Sequence, residues 1–139
     1  MKKFLFVAAL LMLTLSARAQ TDGVFIVNPA LTETALTTAD IKDILLGNIT
    51  KWPHAGGVIK LVVLTEGPLH ASIIKDYTQR TPEQFDKFWK KRVFTGTGLM
   101  PAQLQNEPDI VAYVAANPGA IGYVSNQKVS DKVKVLSLK

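Results

Sequence analysis

The chain has 139 residues, 47% of them hydrophobic, with 16 basic against 11 acidic side chains and a formal charge of +5. Such a length holds one domain with a core of its own. There is no cysteine, which excludes disulfide staples and thiol chemistry and leaves stability to packing.

Lys2 and Lys3 precede an apolar run from Phe4 to Leu15, followed by Ala17-Arg18-Ala19. This is the pattern of a secretory signal peptide over residues 1–19, with Gln20 as the mature amino terminus. A membrane anchor is the alternative, but the run is shorter than the ~20 residues that span a bilayer. The expected domain is 20–139, and the expected location is the periplasm. Removal of Lys2, Lys3 and Arg18 leaves 13 basic against 11 acidic residues, or +2. The basicity belongs partly to the leader, and no nucleic-acid partner is expected.

Val24 to Val27 reads as a buried strand ending at Asn28-Pro29. Thr37 or Thr38 caps a helix, with Asp40 in its first turn and Ile41, Ile44 and Leu45 on one face. Gly47 ends that helix. Trp52 to Gly57 is a turn region, and Lys60 to Leu64 is the next strand. Gly67-Pro68 opens a helix whose face is Ile73, Ile74 and Tyr77, backed by Leu69. Thr81-Pro82-Glu83-Gln84 forms a capping box for a helix that buries Phe85, Phe88 and Trp89. Phe94 to Pro101 is a glycine-bearing loop. Asn106 to Asp109 starts a helix with Ile110, Tyr113 and Val114 inward, stopped by Asn117-Pro118-Gly119. Ile121 to Val124 and Val133 to Leu136 are further strands. Strands alternating with helices predict an α/β sheet.

Two stretches stand out, Ile41-Lys42-Asp43-Ile44-Leu45-Leu46-Gly47-Asn48-Ile49-Thr50-Lys51-Trp52 and Asn117-Pro118-Gly119-Ala120-Ile121-Gly122-Tyr123-Val124. With the strand and turn at Val62 to His70, the Phe-Trp helix and the Phe94-Thr95-Gly96 loop, they resemble the phosphate-type solute-binding proteins of bacterial ABC transporters. The resemblance runs from about Val24 to Ser125. It implies an α/β fold, a single-lobe, type II periplasmic-binding-protein-like domain with a small mixed sheet flanked by helices. It also implies a non-catalytic protein without cofactor that binds phosphate or a related small oxyanion for an ABC transporter. The family has two lobes that close on the anion, and this chain is long enough for little more than one.

In that family a strand leads into an Arg-x-Asp-Gly-Ser-Gly-Thr turn that holds the anion at a helix start. The matching stretch here is Leu64-Thr65-Glu66-Gly67-Pro68-Leu69-His70. Gly67 and the acidic Glu66 match, whereas the Arg and the Ser-Gly-Thr do not. Charge-assisted bonds are worth ~1.5–3 kcal/mol each, so these losses weaken the grip on a phosphate dianion.

The candidate anion-site residues are Thr65, Glu66, Gly67, His70, Thr95 and Gly96. For the first four the bland alternative is a capped helix start, with Glu66 accepting N–H bonds and His70 in solvent. Thr95 to Gly98 would offer a backbone nest, or a plain turn. His54 and His70 are the only histidines, and no metal site is expected. Lys87, Lys90, Lys91 and Arg92 would be either a solvated helix end or a dock for an acidic partner. No catalytic set is recognisable. The competing function is a ligand-free interaction or sensor module docking a membrane or periplasmic partner. A lobe without its sister exposes apolar surface, which favours a homodimer.

Overall fold

The computed structural model describes residues 23–33 and 35–139. The leader and its cleavage site lie outside them. Strand β1 (Gly23–Val27) and β5 (Ala120–Ser125) pair antiparallel, with Phe25 opposite Tyr123. β3 (Lys60–Leu64) runs parallel to β5 on one side and to β4 (Ala102–Leu104) on the other. β6 (Lys134–Val135) pairs antiparallel with the free edge of β1, giving the order β4-β3-β5-β1-β6. A separate parallel pair joins β2 (Ala35–Leu36) to β7 (Ser137–Leu138). The expected strand over Val133 to Leu136 is therefore shorter. Its flanks Val133 and Leu136 are buried as core plugs, and the Leu136 N–H bonds to the Phe25 carbonyl at 2.9 Å.

β5 is apolar on both faces because both are covered. A Cβ at Gly122 would lie 2.8 Å from Ile110 and 2.9 Å from Val62, so this face takes helix α4 (Glu107–Ala116). Alternation turns Tyr123 to the opposite face. There Phe25 meets Tyr77 edge-on at 5.1 Å, and α2 (Pro68–Thr78) covers the sheet. α1 (Thr38–Leu45) and α3 (Pro82–Phe94) pack on α2 in the same layer. Of the two candidate caps for α1, Thr37 takes the position, in a capping box with Asp40, and the expected capping box forms at Thr81 with Gln84. The sheet is thus sandwiched between helical layers, the mixed α/β architecture expected.

Gly47 ends α1 at φ 71°, and a Cβ there would sit 2.5 Å from the Trp89 ring. The glycine provides both the left-handed turn and the room for the Trp89 indole, whose Nε1 donates to the Leu45 carbonyl at 3.0 Å. Arg92 reinforces the junction, with one terminal nitrogen 2.7 Å from the Leu46 carbonyl and 3.2 Å from the Asn48 side chain. Gly47→Ala combines left-handed strain of ~1–2 kcal/mol with a clash against a buried indole. Urea unfolding should show a loss of about 2 kcal/mol or more, whereas Gly56→Ala, at a turn with open space, should lose only the strain component.

Candidate functional site

β3 and β4 end side by side at Leu64 and Leu104. The chain then turns into the starts of α2 and α4, which flank a cleft of about 320 Å3. Open α/β sheets take ligands at the carboxyl ends of their strands. Helix starts there bring unpaired N–H groups and partial positive charge.

The donors in this cleft are few. Gly67 is the cap residue of α2, at φ 107°, and no side chain bonds into the first turn. Pro68 has no N–H, which leaves those of Leu69 and His70. At α4, Asn106 Oδ1 accepts from the Asp109 N–H at 2.9 Å, leaving its Nδ2 as a donor. The Glu107 carboxylate lines the cleft and accepts from the Ser125 N–H. Glu66 is exposed on the wall, and no lysine or arginine lines it.

His70 is turned into the core, 4% exposed. Its Nδ1 lies 2.5 Å from the Tyr123 hydroxyl, which accepts from the Leu64 N–H at 3.0 Å. The hydroxyl oxygen has room for a second donor, but its own proton needs an acceptor, and Nδ1 is the one bonded to it. We therefore assign a neutral imidazole with its proton on Nε2. Burial supports this by holding the His70 pKa below its ordinary 6.5. It also pushes the Tyr123 phenol above its ordinary 10, against the smaller opposing effect of the Leu64 N–H. The expectations for the His70 side chain, an anion donor or a solvated group, are both corrected: its ring is a buried acceptor for Tyr123, and only its backbone N–H remains at the helix start. The expected Glu66 cap is absent as well, because Gly67 takes the cap position with no side-chain bond.

Thr95 and Gly96 lie elsewhere. Pairing of Val62 with Ala102 puts the loop before β4 at the Lys60 end of β3, about 13 Å along the strand from the Leu64 end. The Thr95 hydroxyl donates to the Lys91 carbonyl at 2.9 Å, and Gly96 N–H to Val93 at 3.1 Å. These groups serve the negative end of α3 and do not join Thr65, Glu66 and Gly67 in one site.

The basic cluster is largely committed. Lys90 pairs with Asp86 at 2.7 Å and Lys87 with Glu83 at 3.8 Å, and Arg92 bonds the end of α1. Among the described residues no cluster of acidic or histidine side chains suits a metal ion.

Sequence reasoning missed a second buried polar group. The Glu33 carboxylate is 1% exposed. It accepts from the N–H groups of His54 at 3.2 Å and Ala55 at 2.8 Å, and lies 2.6 Å from His54 Nδ1. Burial opposes its charge, but these bonds together hold its pKa below the ordinary 4.5. It fastens the 53–57 turn to the loop after β1. Asn28 works beside it, donating to the carbonyls of Val114 and Ala115 at 2.9 and 3.1 Å. Nothing periodic in the sequence marks Glu33; Asn28 was visible only as a strand end.

The model of the PBP superfamily domain matches residues 17–137, and the chain belongs to that family. Comparison with curated proteins finds no match. Among solved structures, an ABC-type phosphate transport receptor from Vibrio cholerae superposes with a TM-score of 0.65 at 18% identity, over 84% of this chain and 45% of that one. A phosphate ABC transporter substrate-binding protein from Clostridium perfringens, solved with bound phosphate, gives 0.66 at 23%, over 84% and 44%. A phosphate-binding protein from Stenotrophomonas maltophilia gives 0.64 at 15%, over 84% and 39%. These likenesses establish the fold. The chain spans less than half the length of each.

Two outcomes test the buried triad. His70 has a depressed pKa, so its contribution to stability is complete above pH 6.5 and is lost as pH falls below it, until the folded pKa is reached. Just below pH 6.5, above the range where Glu33 contributes, the slope should approach ~1.4 kcal/mol per pH unit in urea melts and should vanish in His70→Gln; equal slopes there would put the ring in solvent. Tyr123→Phe strands the Leu64 N–H and should cost about 1–3 kcal/mol, read in the same melts at pH 7.5.

Proposed function

We propose that the protein is an exported, non-catalytic solute-binding lobe that takes phosphate or a related small oxyanion, delivered to an ABC transporter in the periplasm. The observation that carries this reading is the cleft at the carboxyl ends of β3 and β4, flanked by two helix starts within a PBP-superfamily fold. The donors would be the Leu69 and His70 N–H groups and the amides of Gln105 and Asn106. Thr65 and Gly67 shape the turn, and Glu66 opposes the anion. Cleavage after Ala19 is part of the reading, and amino-terminal sequencing of protein from the periplasm should begin at Gln20.

The donor set, with no cation, supports millimolar affinity, roughly −4 kcal/mol. Calorimetric titration with phosphate and sulfate should show such binding. Glu66→Arg should strengthen it about tenfold, since one charge-assisted bond is worth ~1.5–3 kcal/mol. Silence at tens of millimolar ligand, in both the protein and the variant, removes anion capture. The two carboxylates at the cleft mouth favour the second reading in that event: a ligand-free module that docks a membrane or periplasmic partner through this face. Co-purification lost on Glu66→Lys, and kept on charge reversal at Lys91, distinguishes that face from α3.

A further inference from the structure

At the opposite end of the sheet lies a larger pocket, of about 560 Å3, recessed between α1, the starts of β3 and β4, and the loop through residues 97–101. Its depth is apolar, built on Ile44, Ile59, Leu61, Trp89 and Pro101. Its rim is apolar too. Leu99 is 89% exposed and Val58 63% exposed, large side chains that stand at the mouth without burying themselves. A recessed apolar pocket within ~300–1,000 Å3 with a few polar groups is the usual form of a small-molecule site.

The polar groups define the ligand. Lys60 lines the pocket, and among the described residues its ammonium has no carboxylate partner. Thr50 lines the wall beside it, and no aspartate or glutamate does. The wall therefore carries charge of one sign. A lysine with an apolar stem and a free head at the edge of a greasy pocket suits a molecule with an apolar body and an anionic end. An anionic membrane surface is a poorer fit, because Lys60 is the one lysine or arginine among the residues that line the pocket. We propose that this pocket binds a small amphiphilic acid, an alkyl or aryl chain bearing a carboxylate, with Lys60 on the carboxylate and Leu99 closing over the chain. The proposal is independent of the anion cleft, which lies at the other end of β3.

The test titrates the purified protein with dodecanoate below its micelle concentration, with dodecanol and inorganic phosphate as comparisons. Calorimetry and the two indole N–H resonances provide the readouts. Trp89 lines this pocket, whereas Trp52 does not. The expected result is saturable dodecanoate binding that moves the Trp89 signal, leaves Trp52 in place and is not competed by phosphate. Dodecanol should bind up to about fivefold more weakly, and Lys60→Gln should erase that difference, the scale of an exposed ion pair. Leu99→Asp should weaken dodecanoate about tenfold or more by replacing an apolar cover with a like charge. Leu99 and Lys60 are exposed, and circular dichroism will show that the variants fold. The proposal is overturned by no saturable binding, by variants that bind like the parent, or by shifts confined to Trp52. Binding to anionic vesicles without binding of monomeric dodecanoate also overturns it, as does a dimer in light scattering that Leu99→Asp dissolves.

Discussion

The Tyr123 hydroxyl holds three segments that are distant in sequence: the end of β3, the start of α2 and the centre of β5. Its position answers a geometric problem. β3 pairs with β5 only at Lys60 and Leu61, while on its other side it stays with β4 as far as Leu64. Past Leu61 the central strands part, and the Leu64 N–H would be left without a ladder partner. A buried unpaired N–H costs about 1–3 kcal/mol. The Tyr123 side chain crosses the gap from β5, satisfies that N–H, and gives its own proton to His70. The parting of β3 from β5 and the polar triad that fills the gap are one feature, set directly behind the Leu64 end of the cleft. Neutrality of His70 follows, because a charged imidazole would have to compete for that hydroxyl in a site with no carboxylate to offset it.

The two ends of the parallel strands have opposite chemistry for reasons of polarity. At the Leu64 end the helices begin, so backbone N–H groups face the cleft. At the Lys60 end α1 and α3 finish, and their carbonyls are consumed by Trp89, Arg92 and Thr95. With those helix-end carbonyls paired, that end presents mainly apolar side chains, with Lys60, Thr50 and Thr97 among them. The carboxyl-terminal segment then decides how the sheet is bounded. After Ser125 the chain turns through a short 3₁₀ segment, Asn126–Lys128, and returns to lay β6 on the edge of β1. Lys134 extends from it to the Leu31 carbonyl at 2.7 Å. An edge that would invite pairing with another chain is covered.

What the sequence revealed divides along local and non-local lines. Thr37, Thr81 and Asn106 are local signals, each bonding an N–H three residues on, and their helices start where expected. β1, β3 and β5 are dense apolar runs, and their strands lie close to the expected bounds. Three of the four strands of two or three residues, β2, β4 and β7, exist only because a neighbour supplies their hydrogen bonds, so composition could not mark them; β6 lies within the apolar run Val133 to Leu136. The candidate site divides in the same way. Thr65 to Gly67 are placed by the turn after β3, which is local. Whether His70 faces the cleft or the core depends on Tyr123, 53 residues away. Whether Thr95 joins them depends on the direction of β4, whose pairing was not visible. The Glu33 bond to the 53–57 turn spans 21 residues and has no periodicity to announce it.

The cleft also raises a question of dielectric rather than of donors. Two or three N–H bonds to an anion are weak while water fills the site, since each charge interaction is screened at high permittivity. The same bonds strengthen several-fold when the cleft is covered and the effective permittivity falls toward ~20. A covering surface would also desolvate Glu66 and Glu107, and an unpaired buried carboxylate is costly. Of the two, Glu107 is already answered by the Ser125 N–H, while Glu66 is exposed and free to swing outward. Glu66 is therefore the residue that sets the sign. With its carboxylate directed away, closure favours the anion. With its carboxylate retained in the cleft, closure favours a cationic group from whatever covers it. The fold accommodates both, and the chemistry of the covering surface, a basic or a neutral one, selects between solute capture and protein docking.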